Sequence, residues 1–188
     1  MIRLKILITS TRPGRVGPLF ARWIEGLAKA MPAFEVEVID LAEVNLPFMD
    51  EPEHPTKRQY SHEHTKAWSR RIDEADAFVV IAAEYNFGFT AVFKNAIDYL
   101  HHEWKHKPVG FVGYGGVAGG TRSIQMMKQV LTSLSMMPVV EAVYLPFFRQ
   151  FIDAQGHFNP NDDQSKAALT MLASVEKWAV ALKPMRQG

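Results

Sequence analysis

Ser10, Thr11, Arg12 and Arg15 stand together in Thr9-Ser10-Thr11-Arg12-Pro13-Gly14-Arg15-Val16-Gly17, after the apolar run Leu4-Lys5-Ile6-Leu7-Ile8 and before a helical pattern. Two hydroxyls and two guanidiniums in a strand-to-helix loop are the chemistry of an anion site. Backbone N–H groups near Val16 and Gly17 converge with the helix start on the ligand, the hydroxyls add donors, and Arg grips a phosphate bidentately. A helix cap with solvent-facing arginines is the competing reading, and the pairing of both residue types favours the anion site. There is no GxGxxG and no Walker lysine, so neither the dinucleotide fingerprint nor an ATPase loop is present.

Two further loops carry unusual chemistry. In Glu84-Tyr85-Asn86-Phe87-Gly88-Phe89-Thr90, aromatics and Asn can wall one face of a flat ring while backbone groups address its polar edge. Tyr85, Phe87 and Phe89 fit a satellite core beneath the loop equally well. Lys94 and Asn95 follow on the next helix, and Asn95 is expected to tie down the loop rather than to touch ligand. Gly113-Tyr114-Gly115-Gly116-Val117-Ala118-Gly119-Gly120 places glycines where a backbone bends sharply or approaches a ligand closely. Alone this is only a flexible strand exit; beside the other two loops it makes a clamp on a planar cofactor. Arg122, just beyond, reads as a surface residue or as a contact to a second anionic partner.

Other chemistries are disfavoured. Ser10 lacks the G-x-S-x-G context of a nucleophile elbow, and no triad is visible. The chain has no cysteine, which excludes disulfides and thiolate sites and leaves redox activity to a bound cofactor. The seven histidines, His54, His62, His64, His101, His102, His106 and His157, come without thiols or HExxH, so no metal site is expected. Residues near His101 are the better candidates for shaping a subunit interface. With 21 basic and 20 acidic residues the formal net charge is +1, and no basic stripe points to nucleic acid. No signal-peptide pattern or membrane span is read, and a soluble cytoplasmic protein is expected.

The elements that must position these loops follow from periodicity. At 188 residues and 47% hydrophobic, the chain can bury one sizeable core, and no domain boundary or repeat stands out. Helices are predicted over Pro18–Met31, His64–Glu74, Ala91–His101, Thr121–Leu134 and Asp163–Leu182. Strands are predicted over 4–8, Phe34–Leu41, Ala77–Ala82, Lys107–Gly113 and Met137–Tyr144. The uninterrupted apolar run Ala77–Ala82 suits a central parallel strand. Residues 42–62 read as a long irregular excursion of the kind that belongs to a site or an interface. Five strands alternating with five helices give a doubly wound α/β domain, whose ligands lie beyond the carboxyl ends of the strands.

On these motifs the chain resembles the NADPH-dependent FMN reductase family, flavodoxin-like flavoproteins that include quinone, azo and chromate reductases. Thr9–Gly17 is similar to the family's phosphate loop, Glu84-Tyr85-Asn86 with Lys94-Asn95-Ala96-Ile97-Asp98 to its flavin signature, and Gly113–Gly120 to its third loop, over roughly residues 2–145. The resemblance implies a five-stranded parallel sheet in the order 2-1-3-4-5 with helices on both faces. It implies FMN at the switch between strands one and three, with Ser10, Arg12, Arg15, Val16 and Gly17 on the phosphate. Glu84, Tyr85, Asn86 and Phe87 would border the isoalloxazine, with backbone N–H near Phe87 or Gly88 at flavin N5. Gly113, Tyr114, Gly115 and Gly116 would approach the pyrimidine edge. Ala83, Gly88, Thr90 and Phe93 depart from the residues common in the family.

The implied activity is hydride transfer from the nicotinamide of NADPH to FMN N5, then electron transfer to a small second acceptor. No conventional catalytic side chain is expected, and Arg15 and Arg122 are candidates for the 2′-phosphate. The resemblance also implies a homodimer or dimer of dimers, with Trp104 and the excursion near the shared site. Phe147, Phe148, Phe151 and Phe158 either support that assembly or pack on their own domain. A non-enzymatic electron carrier is the runner-up, disfavoured because carriers tend to be strongly acidic; a flavin-binding sensor is the third reading.

Overall fold

The structure, a computed structural model, describes residues 1–186. Its strands are β1 (Ile2–Ile8), β2 (Phe34–Asp40), β3 (Ala77–Ala83), β4 (Pro108–Gly115) and β5 (Met137–Pro146). The helices are α1 (Gly17–Lys29), α2 (Leu41–Val44), α3 (Glu63–Asp73), α4 (Ala91–Asp98), α5 (Thr121–Ser133) and α6 (Asp162–Leu182). All strand pairs are parallel, in the order β2-β1-β3-β4-β5. This is the flavodoxin-like arrangement that the family resemblance implies.

Alternation along β3 divides the core. Ala77, Val79, Ile81 and Ala83 face the layer built by α1 and α6, where Phe20, Ile24, Met171 and Val175 pack. Phe78, Val80 and Ala82 face the layer of α3, α4 and α5, with Trp68, Ile97, Ile124 and Met127. Every residue of β3 is buried, as a central strand covered on both faces requires. No helix among the described residues is long and apolar enough to cross a membrane.

Several boundaries differ from the sequence reading. β4 runs on through Gly115, so Gly113, Tyr114 and Gly115 lie on a strand and the glycine loop is confined to 116–120. Gly113 pairs with Ala82 and Tyr144 while the loop folds back above it. A Cβ at Gly113 would lie 2.8 Å from the Gly119 carbonyl oxygen, so the position tolerates no side chain. α4 ends at Asp98, and His102–Trp104 form a separate 3-10 turn. Residues 42–62 are less irregular than expected, because α2 opens the stretch and a 3-10 turn spans Pro55–Lys57.

Side chains also fasten that excursion to the body. Asn95 Nδ2 donates to the Pro47 carbonyl at 2.7 Å and Asn95 Oδ1 accepts from Met49 N at 3.1 Å, so Asn95 ties down the excursion rather than its own loop. Glu103 is buried and accepts from Ser69 Oγ (2.6 Å), the Tyr60 hydroxyl (2.8 Å) and Arg58 Nε (3.2 Å). Trp104 is fully buried, packed on Trp68 and Phe78. It therefore belongs to the core of its own chain.

Candidate functional site

β1 lies between β2 and β3, so the crossovers to these two neighbours leave in opposite directions and open a crevice above the β1 and β3 ends. Hydroxyl groups staple this edge together. Thr9 Oγ1 donates to the Ile81 carbonyl (2.8 Å), Thr90 Oγ1 to the Thr9 carbonyl (2.7 Å), and Ser123 Oγ to the Ala83 carbonyl (2.9 Å). These bonds fix the three loops before any ligand arrives.

The first loop divides its arginines. Arg15 Nη1 donates to the Ser10 carbonyl (2.6 Å) and to Asp40 Oδ1 (2.8 Å), and Nη2 donates to Asp40 Oδ2 (2.5 Å). Asp40 ends β2 and also accepts from Ala42 N at the start of α2. The Arg15 charge is thus matched by a carboxylate that holds the loop to β2. Arg12 is exposed and forms no ion pair within the described residues.

The start of α1 is set up for an external anion. It has no side-chain cap and no acid in its first turn. Among the other helices of eight or more residues, α3, α4 and α6 have one of these provisions; α5 has neither, but its first turn is met by a carboxylate from outside the helix. α3 carries Glu63, Thr90 caps α4, Glu84 accepts from Arg122 N of α5, and Asn161 makes a capping box on α6. Beside this uncapped end, Ser10 Oγ and the Tyr114 hydroxyl are buried without a hydrogen-bond partner among the described residues. A Cβ on Gly17 would lie 2.7 Å from Ser10 Oγ and 3.2 Å from the Tyr114 hydroxyl, so both hydroxyls flank the first residue of α1. Leaving a buried hydroxyl unpaired costs about 1–3 kcal/mol, a cost that an accepting phosphate removes. Burial pushes the Tyr114 phenol up to about 12, which keeps it a neutral donor. Its side chain lies beside Ser10 and α1, although the resemblance places Tyr114 at the pyrimidine edge.

In the second loop, Tyr85 and Gly88 exchange both backbone hydrogen bonds at 2.9 Å across a two-residue turn. The turn puts Asn86 at φ +49° and Phe87 at φ +72°, the left-handed pair that a type I′ hairpin requires. Asn tolerates this conformation, whereas in Phe it costs roughly 1–2 kcal/mol. The Gly88 N–H is used within the turn, so it is not available to flavin N5. The Asn86 and Phe87 N–H groups have no backbone acceptor among the described residues. The Phe87 side chain is 65% exposed, and the Arg122 guanidinium carbon sits 3.8 Å from its ring centroid. Arg122 Nε also lies 2.8 Å from Glu84 Oε1. Like Arg15, Arg122 is matched by a carboxylate.

A cavity of about 220 Å³ opens between the loops. Arg12, Arg15 and Val16 line it from the first loop, Glu84 and Tyr85 from the second, and Tyr114, Gly115 and Gly116 from the third. Ser10 and Gly17 meet Tyr114 at the buried start of α1, Asn86 and Phe87 form the turn beyond Tyr85, and Gly113 is buried on β4 without lining the cavity. Phe148, one of the aromatics with an open role in the sequence, packs on its own domain and completes the wall with Arg149, which the sequence reading did not single out. Their signal was Leu145-Pro146, which marks another chain segment leaving a strand's carboxyl end. A larger, mostly apolar cavity of about 480 Å³ also reaches the first loop at Thr11, between Leu41–Phe48 and the start of α4. Among the described residues no group of three or more metal-ligating side chains occurs.

A profile described as NADPH-dependent FMN reductase matches residues 2–150. The chain belongs to that family. It is an NAD(P)H-dependent FMN/quinone reductase-type oxidoreductase, and all three loops of the site fall inside the matched span. An NAD(P)H-dependent FMN reductase of Schizosaccharomyces pombe is 38% identical over 148 residues, covering 77% of this chain and 74% of the relative. An NAD(P)H-dependent FMN reductase of Saccharomyces cerevisiae is 31% identical over 146 residues, covering 72% and 76%. Among solved structures, the flavoenzyme NAD(P)H:(acceptor) oxidoreductase FerB of Paracoccus denitrificans superposes with a TM-score of 0.77 at 20% identity, covering 96% of this reductase and 98% of FerB.

Proposed function

We propose that this reductase binds FMN across the three loops, takes hydride from a nicotinamide dinucleotide and passes electrons to a small second acceptor such as free flavin or a quinone. One observation carries the reading. An uncapped helix start, two buried unpartnered hydroxyls and an unpaired guanidinium meet at the sheet's switch point, beside the mouth of a pre-stapled cleft. That donor set suits a phosphate monoester, and the crevice beside it suits the ring system attached to one.

When bound, FMN supplies the hydride acceptor at N5 and a two-electron store. The chain's own work is to bind and orient. Ser10 and Tyr114 hydroxyls, the Arg12 guanidinium and the N–H groups at Val16 and Gly17 hold the phosphate. The Thr9, Thr90 and Ser123 bonds keep the loop backbones from shifting as ligands exchange. Asn86 and Phe87 N–H groups are available to the ring edge, where donors favour the anionic reduced state. Arg122, beside Glu84 and over the Phe87 ring, ties the turn to α5. No side chain is asked to act as acid or nucleophile. A homodimer accompanies this reading; Phe48, 86% exposed at the rim of the 480 Å³ cavity, is the apolar residue to test at its surface.

The test is anaerobic stopped-flow absorbance of FMN-loaded protein mixed with NADPH or with NADH. Loss of the oxidised-flavin band within the turnover time is the expected result, and the ratio of the two rates identifies the donor. Firm FMN binding without reduction by either nucleotide would replace the reductase reading with a carrier or a flavin-binding sensor.

A further inference from the structure

Arg12 alone leaves the charge of a bound phosphate incompletely matched. A phosphate monoester carries about −1.5 to −2 at pH 7. Of the two arginines in the first loop, Arg15 is matched by Asp40, which leaves only Arg12. One more cation lines the same cavity, from a segment outside all three loops. We propose that Arg149 is the second guanidinium of the flavin-phosphate pocket, a role that rests on the FMN reading above.

Its position is built into the fold. Phe147 adopts φ +46° and donates its N–H to the Gly116 carbonyl at 3.2 Å, turning the chain back from the β5 end toward α1. Phe148 then packs edge-on against Phe20 of α1 (5.8 Å) and Tyr114 of β4 (5.5 Å). The Arg149 guanidinium lies over the Phe148 ring at 5.6 Å, a cation–π contact that orients the side chain without neutralising it. Arg149 has no carboxylate partner among the described residues, whereas Arg15 and Arg122 both have one. An aromatic column therefore links the unpartnered Tyr114 hydroxyl to a cation on the same cavity wall. Arg149 lines this cavity of about 220 Å³ together with Arg12, Val16 and Tyr114.

The experiment compares FMN with riboflavin, which has the same ring and no phosphate. Flavin-stripped wild type, Arg149→Ala and Arg149→Lys are titrated with each by quenching of flavin fluorescence, after circular dichroism has verified folding. Arg149→Ala is expected to weaken FMN about tenfold and riboflavin less than about twofold, with Arg149→Lys in between. The FMN affinity of wild type should also fall more steeply with salt than that of Arg149→Ala. Equal losses for both flavins would show that Arg149 only supports the fold, and unchanged affinity for both would show that it touches no phosphate of the flavin. Unchanged FMN affinity with an altered NADPH-to-NADH rate ratio would assign the guanidinium to the dinucleotide and overturn the proposal. Wild type that binds FMN no better than riboflavin would instead refute the phosphate site itself.

Discussion

Gly17 is where a single methyl group should separate stability from function. A Cβ there would lie 2.7 Å from Ser10 Oγ, 3.1 Å from Ile8 Cγ2 and 3.2 Å from the Tyr114 hydroxyl. Its backbone is ordinary helix, so Ala is strained by crowding alone. Overpacking of this kind costs roughly 1–3 kcal/mol, reduced by the better helix propensity of Ala, worth at most about 1 kcal/mol. Ser10 is the neighbour most able to move, and moving it takes its hydroxyl from the anion cradle. Losing one hydrogen bond to a charged group, about 1.5–3 kcal/mol, amounts to a loss of roughly 10- to 150-fold in FMN affinity. Gly26 on the same helix is the control, because a Cβ there meets nothing within 4 Å. Gly26→Ala should raise stability by about 0.5–1 kcal/mol and leave flavin binding unchanged. Urea unfolding and flavin titration of both variants make the comparison. Gly17→Ala protein with wild-type FMN affinity would refute the placement of the phosphate at Ser10 and the α1 start.

Two further outcomes concern groups away from the cleft. Lys107 is buried, its ammonium donating to the Ile72 and Asp73 carbonyls at the end of α3, and burial lowers its pKa to about 7. Between about pH 7 and 10.5 the unfolded chain binds more protons at this position than the folded one, so stability should rise with pH by up to ~1.4 kcal/mol per unit. The slope should flatten in Lys107→Met, measured as the pH dependence of the urea midpoint; equal slopes would rule out a depressed ammonium. The buried Glu103 carboxylate is held below the usual range by bonds from Ser69 and Tyr60 and by the Arg58 charge, which together outweigh the opposing effect of burial. Its contribution is present above the unfolded pKa and is lost as pH falls through the folded one. Glu103→Gln should cost about 2–4 kcal/mol near neutral pH and speed proteolysis within 50–62, and a variant as stable as wild type would show the network to be dispensable.

How much was legible depended on the range of the interaction. The apolar run at Ala77–Ala82 marked the central strand because burial on both faces leaves no polar position. The three loops were readable because each follows its strand directly in sequence. The partners of their charges were not. Arg15 meets Asp40 because the β1–β2 register sets Asp40 opposite Ile8, at the same sheet edge as Ser10. Tyr114 read as part of the glycine loop, whereas β4 carries it, and the direction of its side chain depends on the alternation that also buries Val112 against α1 and α6. The excursion looked structureless because its order comes from Glu103, Asn95 and Tyr99, some 40 to 50 residues away.

Pairing also distinguishes scaffold from ligand contact among chemically identical groups. Four arginines stand around this cleft, and residue type alone makes each a candidate for phosphate. Two are spent within the protein, Arg15 on Asp40 and Arg122 on Glu84, and each of these pairs spans two elements of the framework. Arg12 and Arg149 have no such partner among the described residues, and both line the cavity. A carboxylate that already satisfies a guanidinium makes its transfer to a phosphate an exchange with little net gain. An unpaired guanidinium gives up only solvent. The electrostatic free energy for holding a phosphorylated cofactor therefore rests on the two arginines that the fold leaves unmatched.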